Sequence, residues 1–186
     1  MGEAYEVEPA GGLPGDPDGL ERLWTPHRMA YVTGEHPESR EGPSGCPLCR
    51  AGEAADEDAL VVARGEVTFA LLNLYPYNSG HLMLLPYRHV ADYVDLTDAE
   101  TVELAEMTKT AIRVLREVMA PHGFNLGINQ GAVAGAGIAG HIHQHVVPRW
   151  GGDSNFLPIV ARTKALPELL GRTRQRLADA WPARRG

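Results

Sequence analysis

With 186 residues, 44% hydrophobic and 22% charged, the chain is long enough to bury one sizeable core. Its formal charge of −7 argues against a nucleic-acid coat, although a local pocket can still hold a nucleotide's phosphates, because net charge governs solubility more than sites. No apolar run nears the roughly 20 residues that span a bilayer, and the acidic start Met1-Gly2-Glu3 is not a basic leader, so no membrane partner and a cytoplasmic location are expected.

Residues 1–19 are rich in Gly, Pro, Asp and Glu and read as a disordered leader, followed by a single domain over 20–186. Within it, Leu20 to Tyr31 suits a short amphipathic helix and Thr33 to Ser44 a polar loop. The two cysteines follow in Gly45-Cys46-Pro47-Leu48-Cys49-Arg50, a spacing that suits a metal knuckle, a redox dithiol or inert thiols; a structural disulfide does not suit a cytosolic chain. A redox pair wants the start of a helix in a βαβ unit, whereas Arg50-Ala51-Gly52-Glu53 reads as a turn. Zinc needs two more ligands, and His89, at the end of the strand-like run from His81, is the natural third.

Two β-branched and apolar runs, Leu60 to Ala63 and Val67 to Asn73, flank Arg64-Gly65-Glu66 and predict a hairpin. Tyr75 to Gly80 is a turn-rich connection to the strand His81 to Pro86. Thr97-Asp98-Ala99-Glu100 forms a capping box, after which Leu104, Met107, Ala111, Val114, Leu115 and Val118 recur at the helical period until Pro121-His122-Gly123. A strand over Phe124 to Asn129 then leads into a glycine-rich loop and a histidine run. Near the C-terminus, Pro167 suits a first helical position and Leu169, Leu170, Leu177 and Trp181 an apolar stripe. The element order predicts an α+β fold: an antiparallel sheet with a long helix packed on it and a C-terminal helix.

Gly135-Ala136-Gly137-Ile138-Ala139-Gly140 matches the dinucleotide fingerprint formally, but that fingerprint needs a helix next, and here a strand is expected. Such glycines can instead let backbone amides approach a phosphate. The run that follows, His141-Ile142-His143-Gln144-His145-Val146-Val147, places three imidazoles on one face if it is extended. Imidazole serves near neutral pH as nucleophile, proton donor or metal ligand, so chemistry is the leading expectation.

The same run resembles the motif of the histidine triad (HIT) family of nucleotidyl hydrolases and transferases, His-x-His-x-His followed by two apolar residues. Phe69 to Asn73, Pro76 to Pro86 and the Asn129 to Gly140 loop are similar to that family's nucleotide-binding half. Leu23 to Met29, Asn73 to Asn78 and Pro148 to Phe156 resemble its diadenosine tetraphosphate phosphorylase branch. The resemblance implies a HIT-like domain with its motif core at 46–156 and a homodimer with Trp150 and the segment after it near the interface or the neighbouring pocket. It implies His143 as the nucleophile that carries a nucleotidyl group, and His145 beside the leaving oxygen. Asn73, Asn129, Gly135, Ala136, Gly137 and His145 would contact the nucleotide. It also implies a structural zinc on Cys46, Cys49, His89 and His141, with no organic cofactor. The substrate would be a nucleotide or dinucleoside polyphosphate. Inorganic phosphate as second acceptor gives ADP and ATP from diadenosine tetraphosphate; water gives a hydrolase of phosphoramidates, aminoacyl-adenylates or dinucleoside polyphosphates that releases AMP.

Two other readings stand beside it: a zinc-stabilised nucleotide-binding protein without turnover, and an open three-histidine metal site of the cupin kind, which would want a carboxylate nearer than Asp153. Gln144 stands at a usually apolar position and points to a polar network, a partner subunit or solvent. Gly137 and Ile138 stand where many relatives carry a Ser or Gln donor, so backbone donors must suffice, and slower catalysis or dependence on a different leaving-group donor is expected. His27, His36, His81 and His122 read as solvated or packed, and the arginines of the C-terminal helix as a solvated face.

Overall fold

The structure is a computed structural model that describes residues 43–153 and 167–183. The expected leader, the helix over 20–31, most of the loop over 33–44 and the segments 23–29 and 154–156 lie outside the described residues. The described residues belong to one compact unit, His36–Gly186. Five antiparallel strands run in the order β1-β2-β3-β5-β4, with β1 at Val61–Arg64, β2 at Thr68–Leu72, β3 at Leu82–Pro86, β4 at Gly123–Ile128 and β5 at Gln144–Arg149. Among the described residues three α-helices accompany them: α1, Pro47–Glu53; α2, Asp98–Met119; and α3, Leu170–Ala180. This is the α+β arrangement that the periodicities predict.

Strand side chains alternate between faces, and the sheet divides accordingly. Val62, Ala70, Leu72, Leu82, Leu84 and Val146 pack against Leu104, Met107, Ala111, Val114 and Leu115 of α2 and Leu177 of α3. Val61, Phe69, Leu71, Met83 and Leu85 form the opposite face and pack with Cys46 and Leu48. Each buried side chain of this size contributes roughly 1.5–3 kcal/mol relative to exposure. One face is thus closed by the long helices, and the other carries α1 and the histidines.

The capping box forms as read: the Thr97 hydroxyl accepts from the Glu100 amide at 3.2 Å, and the Glu100 carboxylate accepts from the Thr97 amide at 2.8 Å. Arg88, just past β3, donates twice to the same carboxylate, at 3.0 and 2.7 Å, and so joins the sheet to the helix start. The helix ends where its punctuation suggests, at Met119 with Ala120 as C-cap immediately before Pro121, Ala120 being a non-glycine residue with φ 46. Gly123 belongs to β4.

A second tether is absent from the sequence pattern. The Glu103 carboxylate accepts from the amides of Glu66, Val67 and Thr68, each at 2.7 Å, and from the Thr68 hydroxyl at 2.9 Å. A Cβ at Gly65 would sit 2.6 Å from the Glu103 carboxyl carbon, so glycine is what lets the hairpin approach the helix.

Three expectations need correction. The stretch after the cysteines is the helix α1, with Cys46 as N-cap and Pro47 in its first turn; Arg64 satisfies carbonyls at its C-terminal end, Gly52 O at 2.5 Å and Ala54 O at 2.8 Å. Pro47 pre-sets the first helical φ, a signal outweighed in the sequence by the turn-like Gly52. Pro167 precedes α3, whose N-cap is Leu169. Finally, Arg174 is buried rather than solvated, donating to Val61 O at 3.3 Å, because this turn of α3 packs against β1. No helix among the described residues is long and apolar enough to cross a membrane.

Candidate functional site

His141, His143 and His145 are all buried. Only His145 lies within β5; His141 and His143 lie in the segment leading into it. The Ile142 amide donates to Val90 O at 2.7 Å, fixing that lead-in beside the chain that follows β3.

The first imidazole separates from the other two. His141 Nδ1 lies 3.5 Å from Cys46 Sγ and 3.4 Å from Cys49 Sγ, and His89 Nδ1 lies 3.3 Å from Cys49 Sγ. All four ligand atoms fall within 4.8 Å of one another. A tetrahedral zinc with Zn–S of about 2.3 Å and Zn–N of about 2.0–2.1 Å spaces its N and S ligands by about 3.5 Å, so these side chains fit that ion. His141 Nε2–H donates to Pro86 O at 2.9 Å, which fixes the tautomer with Nδ1 turned to the thiols, the outer contact that metal-binding histidines usually make. Burial, then the neighbouring Cys46, pushes the Cys49 thiol up to about 11. A cation binding there must therefore displace protons. The pair starts a helix, as a redox dithiol would, but among the described residues no βαβ unit surrounds it, and two imidazoles complete the cluster.

The other two histidines have opposite tautomers, each set by a neighbour. His143 Nδ1 lies 2.8 Å from the carbonyl oxygen of His141; a carbonyl only accepts, so Nδ1 carries the proton and Nε2 keeps its lone pair. His145 Nδ1 lies 2.9 Å from His81 Nε2. His81 Nδ1 in turn accepts from the Tyr77 amide at 3.0 Å, which leaves the His81 proton on Nε2, donated to His145 Nδ1. His145 then holds its own proton on Nε2. One ring presents a nucleophilic nitrogen and its neighbour an N–H donor; their centroids are 5.0 Å apart and nearly perpendicular. Burial lowers the pKa of His143, and burial with the charge of His143 lowers His145 to about 4. Both imidazoles are neutral at pH 7.

His81 is therefore not a bland histidine. It is fully buried, and its ring lies 5.0 Å from that of His145. The strand parity was available to find it: His81 precedes Leu82, and Met83, two residues on, pairs with His145, which places His81 on the histidine face. His122 does take the ordinary role, with Nδ1 accepting from the Gly151 amide at 2.9 Å. His27 and His36 lie outside the described residues.

Of the expected nucleotide contacts, Asn73 follows β2, where its Oδ1 accepts from the Tyr75 amide at 2.9 Å; this fixes the side chain and leaves its NH2 end to donate. Asn129 follows β4 at the mouth of the glycine loop, half-buried. In that loop the Gly135 amide donates to Ala132 O at 2.9 Å and the Ala136 amide to Gly131 O at 3.3 Å. Both amides hold the loop's own turn. Gln144 faces away from the histidines and donates to the Thr108 hydroxyl of α2 at 2.8 Å, the polar network that its sequence position suggests.

A HIT-domain family model matches residues 54–152. The AP-4-A phosphorylase of Mycobacterium tuberculosis is 51% identical over 171 residues, covering 90% of this chain and 87% of that one. The asymmetrical bis(5'-nucleosyl)-tetraphosphatase of Schizosaccharomyces pombe is 32% identical over 93 residues, half of each chain. Among solved structures, a zinc-bound histidine triad protein from Mycobacterium smegmatis superposes with a TM-score of 0.60 at 26% identity, covering 75% of this chain and 95% of that one.

Proposed function

The chain belongs to the HIT-domain family, and from that premise we propose that it splits diadenosine tetraphosphate with inorganic phosphate into ADP and ATP through a nucleotidyl group carried on His143. The observation that supports this reading is the opposed pair of tautomers. His143 Nε2 attacks the α-phosphorus, the bond from phosphorus to the bridging oxygen breaks, and His145 Nε2–H gives that oxygen its proton as ATP departs. A phosphate oxygen then attacks the same phosphorus, the N–P bond breaks to release ADP, and His145 recovers a proton from the incoming phosphate. Asn73 and Asn129 orient the retained nucleotide, and amides from Gly137 onward offer hydrogen bonds to its nonbridging oxygens, where charge accumulates. Gly135 and Ala136 shape the loop that presents them.

Zinc on Cys46, Cys49, His89 and His141 would supply a cross-link between α1, the end of β3 and the lead-in to β5. Four protein ligands close the coordination sphere and leave no position for substrate. Free thiols at Cys46 and Cys49 accord with a cytoplasmic location. The edge strand β4, with Leu126 half-exposed, offers a second copy of the chain a surface for a homodimer.

Product analysis after incubation with diadenosine tetraphosphate, with and without phosphate, tests the reading. ADP and ATP formed only when phosphate is present support it. AMP formed without phosphate overturns it in favour of hydrolysis.

A further inference from the structure

The loop between β2 and β3 presents three large side chains to solvent, Leu74 at 60% exposed, Tyr75 at 81% and Tyr77 at 47%, and Tyr77 among them lies beside the histidines. This segment is nonetheless firmly held. Asn73 Oδ1 accepts from the Tyr75 amide, the Tyr77 amide donates to His81 Nδ1, and Asn78 Nδ2 donates to Pro148 O at 3.1 Å and Asp153 Oδ2 at 2.8 Å. The Tyr77 ring lies 4.7 Å from that of His81 and 5.6 Å from that of His145, tilted by 33° and 36°. A half-exposed aromatic ring thus touches the imidazole that protonates the leaving oxygen, on a loop already paid for in conformational entropy.

A dinucleoside polyphosphate carries two bases. In the proposed reaction Asn73 and Asn129 orient the nucleotide that is retained, and the second nucleotide leaves from the His145 side. We propose that Tyr77, with Tyr75 two residues before it, forms a stacking platform for the base of the departing nucleotide. This inference rests on the function proposed above. Every base has a π-face, so stacking of this kind tolerates sequence; the platform accepts adenine and guanine alike on the departing side. It binds the leaving nucleotide without touching the reacting phosphorus.

The test compares diadenosine tetraphosphate with adenosine 5'-tetraphosphate, which has the same scissile bond and retained nucleoside but no second base. Aromatic–base stacking removed by truncation is worth about 5- to 150-fold. Tyr77→Leu is expected to lower the ratio of kcat/KM for the dinucleotide to that for the mononucleotide by about 10-fold or more, chiefly through KM, and Tyr77→Phe to retain it. Tyr75→Leu, at a mostly exposed position that folding does not need, is expected to lower the same ratio at least about threefold. Ratios unchanged in both leucine variants, including an equal fall for both substrates, overturn the platform while leaving the proposed reaction intact. Failure of the parent protein to consume diadenosine tetraphosphate overturns both together.

Discussion

His81 Nε2 stands 2.9 Å from His145 Nδ1, so a side chain 64 residues away decides which nitrogen of the His145 imidazole carries a proton. Replacing His81 by Asn should lower kcat for diadenosine tetraphosphate by about 100-fold, within the range for general acid catalysis. The loss should shrink for a p-nitrophenyl ester of AMP, whose leaving group needs no proton. An equal loss with both substrates would count against this role.

His143→Ala should remain folded, since its neighbours are set by backbone contacts, yet lose at least about a thousandfold in turnover as expected for a missing nucleophile. Circular dichroism checks the fold and product formation the rate. Parental speed in a folded variant would remove the covalent pathway altogether.

Metal content should read one zinc per folded chain, and Cys46→Ser or Cys49→Ser should lose the ion and melt at markedly lower temperature. Brief treatment with a mild chelator should leave turnover intact, because a closed site exchanges slowly and holds no substrate. Immediate inactivation by the chelator would instead indicate a metal that takes part in the reaction.

Glu103→Ala should cost about 2 kcal/mol, since three amides and a hydroxyl lose a charged acceptor. Chemical denaturation measures it directly. A change below about 0.5 kcal/mol would show that water replaces the carboxylate without loss.

The Arg88 hydrogen bonds, outweighing burial, hold Glu100 down to about 2 from its ordinary 4.5. The folded value lies below the unfolded one, so the stabilisation is complete above about pH 4.5 and is lost as the pH falls through about 2. Glu100→Gln should cost about 2 kcal/mol at neutral pH, a figure reduced for the half-exposed Arg88, and should flatten the stability profile between about pH 5 and 2. Parallel profiles for the two proteins would dismiss the pair as a source of acid sensitivity.

The features legible from sequence are those written in local spacing. The Thr97 to Glu100 box, the hairpin around Gly65 and the apolar period of α2 each follow from neighbours a few residues apart. Cys46, Cys49, His89 and His141 were assembled by chemical type with the help of the family resemblance, and the structure brings them together. His81 and Glu103 were missed because their meaning lies in partners far along the chain, His145 and the Glu66 to Thr68 amides. The helix α1 was missed because seven residues are too few to show a period, and Gly52 is explained only by the Tyr87 and Phe69 rings 3.3–3.4 Å from where its Cβ would be.

Gln144 sits between two histidines and reaches Thr108 on the other side of the sheet. A strand that slides by one residue exchanges its two faces: imidazoles would be driven into the leucines of α2 and valines turned outward. Anchoring a carboxamide to a hydroxyl on the helix makes that misalignment costly, so the one polar side chain that interrupts an otherwise apolar alternation serves as a locating pin, keeping both imidazoles on the face away from α2.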